Sequence, residues 1–188
     1  MLDTMLDKDS KKQIPNLLTA FRFLVIPFFV YLLAFPSKSN LLWAGVVFIL
    51  ASITDWLDGY IARLYDAESI LGKLLDPLAD KVLVMAALVM LSSSKIAFIP
   101  AWLVVLLLSR EFLVTGLRSL AAVKGVVVAA SKLAKFKTAT MMIALILLFL
   151  TPLSSYFKSL GLITLWISAV ISVVSGMQYA VRFRSYLS

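Results

Sequence analysis

Hydrophobic positions along this chain do not alternate with polar ones. They gather into six long runs, over residues 16–35, 41–65, 74–91, 99–123, 138–153 and 160–181. Most approach or exceed the roughly 20 apolar residues that cross a bilayer as a helix. The polar breaks between them are short and carry helix-ending residues: "PSKSN", "DAESILGK", "SSSK", "KGVVVAASKLAKFK" and "TPLSSYFKS". The pattern predicts an all-α, polytopic membrane protein with six transmembrane helices. Few other backbones satisfy their own hydrogen bonds in lipid.

Composition agrees. The chain has 188 residues, 62% of them hydrophobic, and a mean hydropathy of +0.99. A soluble domain is nearer half apolar. The length predicts a single domain over 1–188, with residues 1–15 as a short cytoplasmic or interfacial segment. No small-residue cleavage site follows the first run, so a cleaved signal peptide is not expected.

Net charge is +8, and its distribution orients the chain. One side carries Lys8, Lys11, Lys12, Arg63, Lys73, Lys124, Lys132, Lys135, Lys137, Arg182 and Arg184; the other carries only Lys38, Lys95 and Lys158. The positive-inside rule then places both termini in the cytoplasm. With no soluble basic domain to carry the charge, a nucleic-acid partner is not expected. Cysteine and histidine are both absent. Disulfides, thiolate metal sites and imidazole catalysis are excluded. Acid–base or metal chemistry must run on Asp, Glu, Lys, Arg or Tyr.

One stretch, "SITDWLDGYIARLYDAESILGKLLDPLADK", breaks the apolar pattern. On a helix at about 100° per residue, Asp55, Asp58, Gly59, Ala62 and Arg63 share a face. Asp76 and Asp80 stand one turn apart on the next helix. In a regular hairpin Asp58 pairs in depth with Asp76, and Asp55 with Asp80, because both pairs are centred near residue 67. Two carboxylates ~4 Å apart repel by about 4 kcal/mol at an effective dielectric near 20. An Asp at mid-membrane costs roughly 2.5–3.5 kcal/mol besides. Either some are protonated or cations neutralise them. Hard oxygen donors alone suit Mg2+, Mn2+ or Ca2+, and four carboxylates can hold two such ions, a clamp suited to phosphoryl transfer. Gly59 costs about 1 kcal/mol in a helix interior relative to Ala; beside a metal face it lets a bulky ligand approach. Arg63 is placed for phosphate. A structural pairing of the aspartates with a cation such as Lys81 is the alternative, and four at this spacing weigh against it.

The stretch "DWLDGYIARLYDAESILGKLLDPLAD" resembles the signature of the CDP-alcohol phosphotransferase family, D-x2-D-G-x2-A-R-x8-G-x3-D-x3-D. Asp55, Asp58, Gly59, Ala62, Arg63, Gly72, Asp76 and Asp80 fill its eight fixed positions. The resemblance implies an enzyme that moves a phosphatidyl group from CDP-diacylglycerol to an alcohol and releases CMP. It implies two metal ions, Mg2+ or Mn2+, with Asp55, Asp58, Asp76 and Asp80 as ligands and Asp80 also as general base. Gly59, Ala62, Arg63 and Gly72 would hold the CDP-lipid. Six membrane helices and a homodimer fit the family.

"IPNLLTAFRFLVIP" and "LSREFLVTGLRSLAAVKGVVVAASKLAKFKT" resemble the bacterial branch of that family whose acceptor is sn-glycerol 3-phosphate. This implies a multi-pass protein of the bacterial inner membrane with its active site facing the cytoplasm. Charge supports a phosphorylated acceptor. Arg110, Glu111 and Arg118 lie within the fourth run, where charges are costly. Arg110, Arg118 and Lys135 are the expected phosphate ligands, since Arg binds phosphate by paired hydrogen bonds. Glu111 pairing with an arginine is the competing structural role; Lys132 and Lys137 read as ordinary basic loop residues. Asn16, Thr19 and Arg22, one turn apart at the start of the first run, are secondary site candidates, with capping an adequate role for Asn16. The fourth connection departs from the family's usual "GKxKT" and following glutamine: Ala134 and Thr140 stand there. Serine, inositol phosphate and phosphatidylglycerol remain alternative acceptors. A cation transporter is the rival of another class, but no acidic residue falls in the first, fifth or sixth run to continue an ion path.

Overall fold

A computed structural model describes the backbone of residues 24–35, 37–65, 70–123 and 132–184, and the side chains of 24–35, 37–54, 81–121 and 133–181. Everything regular among them is helix: α1 (Leu24–Ala34), α2 (Lys38–Tyr65), α3 (Ile70–Ser92), α4 (Ala101–Val123), α5 (Lys132–Phe149) and α6 (Ser155–Arg184). No strand occurs among the described residues. The all-α expectation is met. The chain divides into two compact units, the first ending at Met90 and the second starting at Leu91.

In the first unit the helices bury one stripe each. Ser37 caps α2: its Oγ accepts the Asn40 N–H at 3.0 Å, and the Asn40 side-chain amide donates to the Phe35 carbonyl at 2.7 Å. This is the N-cap arrangement that satisfies a first-turn N–H. Leu41, Ala44, Phe48 and Ala51 of α2 are buried, at the three- and four-residue steps of a helix face. Leu83, Val84, Ala87 and Leu88 form the matching stripe on α3, and Phe29 of α1 meets Phe48 with ring centroids 6.1 Å apart. Outward positions are equally apolar: Phe28, Tyr31, Trp43, Val46, Leu50 and Ile53 are all exposed. Water-soluble proteins rarely expose contiguous faces of this kind.

The second unit begins with a turn that the backbone ties down. Ser94 is buried, and its Oγ accepts the N–H groups of Ile96 and Ala97. The Pro100 carbonyl then accepts from Leu103 and Val104 and opens α4. The α5–α6 connection is tight. α5 closes through i→i+3 bonds at Leu150 and Thr151, and Ser154 opens α6 by accepting from Tyr156 and Phe157. Gly161 is required by the close approach that follows. A Cβ there would lie 2.8 Å from Leu148 Cγ and 3.1 Å from the Leu148 backbone nitrogen. The buried face of α6 is small and polar, with Ser168, Ala169, Ser172 and Ser175 below Leu165, as suits helices packed closely in lipid. Hydroxyls along the helices return to carbonyls one turn back: Thr54 to Leu50, Thr138 to Ala134, Thr140 to Phe136 and Thr164 to Leu160.

Two helix starts differ most from expectation. α5 begins at Lys132, six residues before the predicted start at 138, so Lys135 and Lys137 lie on the helix and not in a loop. Lys, Ala and Leu are all good helix formers, and the basic "KLAKFK" masked that. α6 begins at Ser155, five residues before the predicted 160, because Ser154 supplies a cap. By length and apolarity, Ser155–Val181 of α6 is long enough to cross a membrane; among the described residues Lys38–Thr54 of α2 and Lys81–Ser92 of α3 are shorter apolar stretches.

Candidate functional site

The signature positions lie on regular helix. α2 continues unbroken through 55, 58, 59, 62 and 63 to Tyr65, and α3 starts at Ile70, before 72, 76 and 80. The buried stripe of α2, at 41, 44, 48 and 51, steps on at helical spacing to 55, 58 and 62. The stripe of α3, at 91, 88, 87, 84 and 83, steps back to 80 and 76 in the same way. These are the positions of the four aspartates and Ala62. The side chains of Asp55, Asp58, Gly59, Ala62, Arg63, Gly72, Asp76 and Asp80 lie outside the described residues, as do Asn16, Thr19 and Arg22 entirely. The donor set fits a divalent cation: carboxylates alone, in a chain with no histidine or cysteine to favour a softer metal.

The second unit holds a polar cluster whose side chains are described. Arg110 of α4 lies against α6. Its Nε donates to the Ser172 carbonyl at 2.8 Å, and its Nη2 to Ser175 Oγ at 2.6 Å. Ser175 Oγ in turn donates to the Ser172 carbonyl at 3.1 Å. Gly176 makes room for this. A Cβ at 176 would sit 3.2 Å from Arg110 Cγ and 3.3 Å from its Nε. Nη1 of Arg110 reaches Glu111 Oε2 at 3.4 Å. The same carboxylate oxygen accepts a short charge-assisted bond from Lys137 Nζ of α5. Side-chain exposure is 11% for Arg110, 25% for Glu111 and 4% for Lys137, so the group is largely out of solvent. Ser168 of α6 donates to the Lys137 carbonyl at 3.1 Å and fixes that turn of α5. Beside Arg110 an apolar groove of about 900 Å3 runs along α4 and α6, past Trp102, Val105, Phe112, Gly116, Val173 and Met177.

Of the three expected phosphate ligands, only Arg110 belongs to this cluster. Arg118 of α4 and Lys135 of α5 are exposed. Reading Lys137 as an ordinary loop residue is corrected: it is a buried helical lysine with a carboxylate partner. The reading of Glu111 as a partner for an arginine holds for Arg110, and Lys137 is a second partner of the same carboxylate. Ser172, Ser175 and Gly176 were not anticipated. Their signal is present in the sequence, because Ser168, Ser172, Ser175 and Gly176 recur at helical spacing through an otherwise apolar run.

Comparison with known proteins settles the family. The family model described as CDP-alcohol phosphatidyltransferase matches residues 12–174. The chain belongs to the CDP-alcohol phosphatidyltransferase family. Relatives of this membrane-enzyme family align over most of its length. A protein of Bacillus subtilis (strain 168) is 41% identical over 180 residues, covering 88% of this chain and 92% of the relative. One from Rickettsia felis is 41% identical over 181 residues, covering 93% and 97%. One from Haemophilus influenzae is 38% identical over 174 residues, covering 90% and 92%. All three bear the name CDP-diacylglycerol–glycerol-3-phosphate 3-phosphatidyltransferase. The family match runs through both units of the fold and includes the acidic signature on α2 and α3 as well as Arg110, Glu111 and Lys137.

Proposed function

We propose that this protein transfers the phosphatidyl group of CDP-diacylglycerol to sn-glycerol 3-phosphate, giving phosphatidylglycerophosphate and CMP. One observation carries the reading. The eight fixed signature positions fall on two helices whose buried stripes lead directly to the four aspartates. Relatives about 40% identical over most of the chain, named for this reaction, support the acceptor. Arg110, set in the apolar second unit and oriented by α6, supports a phosphorylated acceptor over serine, which offers no phosphate for such a residue.

In this reading Asp55, Asp58, Asp76 and Asp80 hold two ions, Mg2+ or Mn2+. Bound there, such ions supply positive charge beside the diphosphate and the departing CMP. Arg63 holds the diphosphate by paired hydrogen bonds. Gly59, Ala62 and Gly72 leave room for the cytidine moiety. Arg110, Arg118 and Lys135 bind the phosphate of the acceptor and aim its C1 hydroxyl. Asp80 takes the proton of that hydroxyl. The oxygen attacks the phosphorus bonded to diacylglycerol, a new P–O bond forms, and the P–O bond to the CMP phosphate breaks. The acyl chains stay among the exposed apolar helix faces while the acceptor arrives from water. One substrate of each kind requires a site at the membrane–water boundary. The six helices then span the bacterial inner membrane, with both termini and the site on the cytoplasmic side, in a homodimer.

The test is direct. Membranes containing the chain receive CDP-diacylglycerol with Mg2+ or Mn2+, and one acceptor at a time: glycerol 3-phosphate, serine or inositol phosphate. CMP release is expected with glycerol 3-phosphate, and its loss in EDTA with recovery on adding the metal. Release with serine alone overturns the acceptor. Absence of CMP with every acceptor, with metal uptake into vesicles, overturns the enzyme in favour of transport.

A further inference from the structure

Within the second unit, α4 and α6 run parallel. The rings of Trp102 and Trp166 meet with 5.1 Å between centroids, and further along both helices Arg110 reaches Ser172 and Ser175. The apolar groove of about 900 Å3 lies between them, with Trp102, Val105 and Gly116 on one wall and Val173, Met177 and Ala180 on the other. Arg110 is the one charged residue among its described lining, and its guanidinium is turned to the two serines of α6. The groove is open at Gly116, where a Cβ would meet no described atom within 4 Å. Its two ends differ in character. At one end stand the two tryptophans. At the other, the α6 wall steps through 173, 177 and 180, and the next helical step is position 184, an arginine at the end of α6. It follows the apolar stretch that closes at Val181. From Trp102 to Leu120 the groove runs about 27 Å at 1.5 Å per residue, close to the roughly 30 Å of a bilayer's hydrocarbon. Aromatic rings at one margin and a cation at the other are what a lipid-facing path carries.

We propose that this groove seats a bilayer phospholipid with an anionic headgroup, one acyl chain lying between α4 and α6 and the phosphate at Arg184. The site is separate from the acidic signature and does not rest on the acceptor reading. Charge selects the occupant. A basic residue at the membrane surface favours anionic lipid over zwitterionic lipid. A second copy of the chain is the other occupant for an apolar face, and charge disfavours it. From 101 to 188 the sequence holds one acidic residue, Glu111, which already faces Arg110 and Lys137. Two copies joined through this same face offer Arg184 no carboxylate. A lipid phosphate meets it without cost to any other pair. Shape agrees: the missing side chain at Gly116 leaves a channel that a flexible chain fills more readily than a helix does.

The full chain in neutral-detergent micelles is melted with phosphatidylglycerol or with phosphatidylcholine of the same acyl chains. Phosphatidylglycerol should give the higher midpoint, by roughly 2–4 °C, the shift expected from one headgroup–arginine attraction in a chain of this size. Gly116→Phe places a ring in the open part of the groove, replaces the weaker helix former, and should abolish the difference between the two lipids. Arg184→Gln leaves the groove open and should abolish it as well. Ala180→Phe fills the groove from α6 and takes the place of Gly116→Phe if that variant does not fold. No difference in the parent protein overturns the proposal, as does a difference that survives groove filling or Arg184→Gln. Two further readouts separate the other occupants. KM for CDP-diacylglycerol should stay near the parent value in Gly116→Phe; a severalfold rise gives the groove to the lipid substrate instead. The oligomer seen on a sizing column should also be unchanged, and its dissociation in Gly116→Phe gives the groove to a second copy. The melting experiments need no turnover, so they decide the lipid site even if no acceptor supports CMP release.

Discussion

Asp80 stands one turn from position 76 and in step with buried Val84 and Leu88 on α3, in a chain that offers no imidazole or thiol. That leaves Asp, Glu, Lys, Arg or Tyr as the base, and this aspartate closes the signature. Asp80→Asn keeps the volume and removes the proton acceptor. The variant is expected to elute from a sizing column in detergent like the parent protein and to lose CMP release by about 10²- to 10⁴-fold, the usual contribution of a general base. Near-parent turnover ends the assignment. Arg118 differs in kind. It is exposed, eight residues beyond Arg110 on α4, and its proposed contribution is charge offered to an incoming anion. Arg118→Ala should raise KM for glycerol 3-phosphate by roughly tenfold while kcat and the KM for CDP-diacylglycerol move little, the pattern of lost ground-state binding. Equal rises for both substrates show that Arg118 does not discriminate between them.

At the scale of the element, close approach of α5 and α6 holds the second unit together, and Gly161 permits it. Gly161→Ala pushes a methyl into Leu148 and its backbone nitrogen. Overpacking of that kind costs about 1–3 kcal/mol, so the thermal midpoint in detergent falls. Leu148→Ala alone opens a cavity and also lowers it. Combined, the two should lose less than their sum, since each relieves the other; strict additivity means the contact is not made. This contact was not legible beforehand, because a glycine in an apolar run looks the same whether or not a neighbour presses on it. Helix existence was legible throughout, since long apolar runs admit little else in lipid. Helix ends were legible only where chemistry marked them. Pro100 announces α4. The start of α5 was hidden because three lysines read as a loop, while in the fold Lys137 finds Glu111 and a buried helical turn. The acidic signature was legible as a family signature because its spacing is its message. The Arg110 cluster was half legible: charges in an apolar run advertise a purpose, but their partners are serines on a helix more than 60 residues later.

For the whole molecule, the decisive matter is which way the helices cross. Charge counting puts Lys38, Lys95 and Lys158 on one side and the remaining loop and tail cations on the other. The proposed reaction demands the same orientation, because a charged acceptor such as glycerol 3-phosphate does not cross lipid unaided and would be drawn from the basic, cytoplasmic side. The absence of native cysteine makes the chain a clean host for site-directed labelling. Ser159→Cys, at an exposed position in the first turns of α6, should react with a membrane-impermeant maleimide on intact spheroplasts. Ser188→Cys, four residues after Arg184 in the sequence, should react only after the membrane is opened. α6 has an apolar stretch long enough to cross, Ser155–Val181, so the two cysteines report on opposite ends of one span. Labelling of both on intact spheroplasts contradicts a single crossing between them. Protection of Ser159→Cys with reaction at Ser188→Cys inverts the molecule, and with it the side from which the acceptor is drawn.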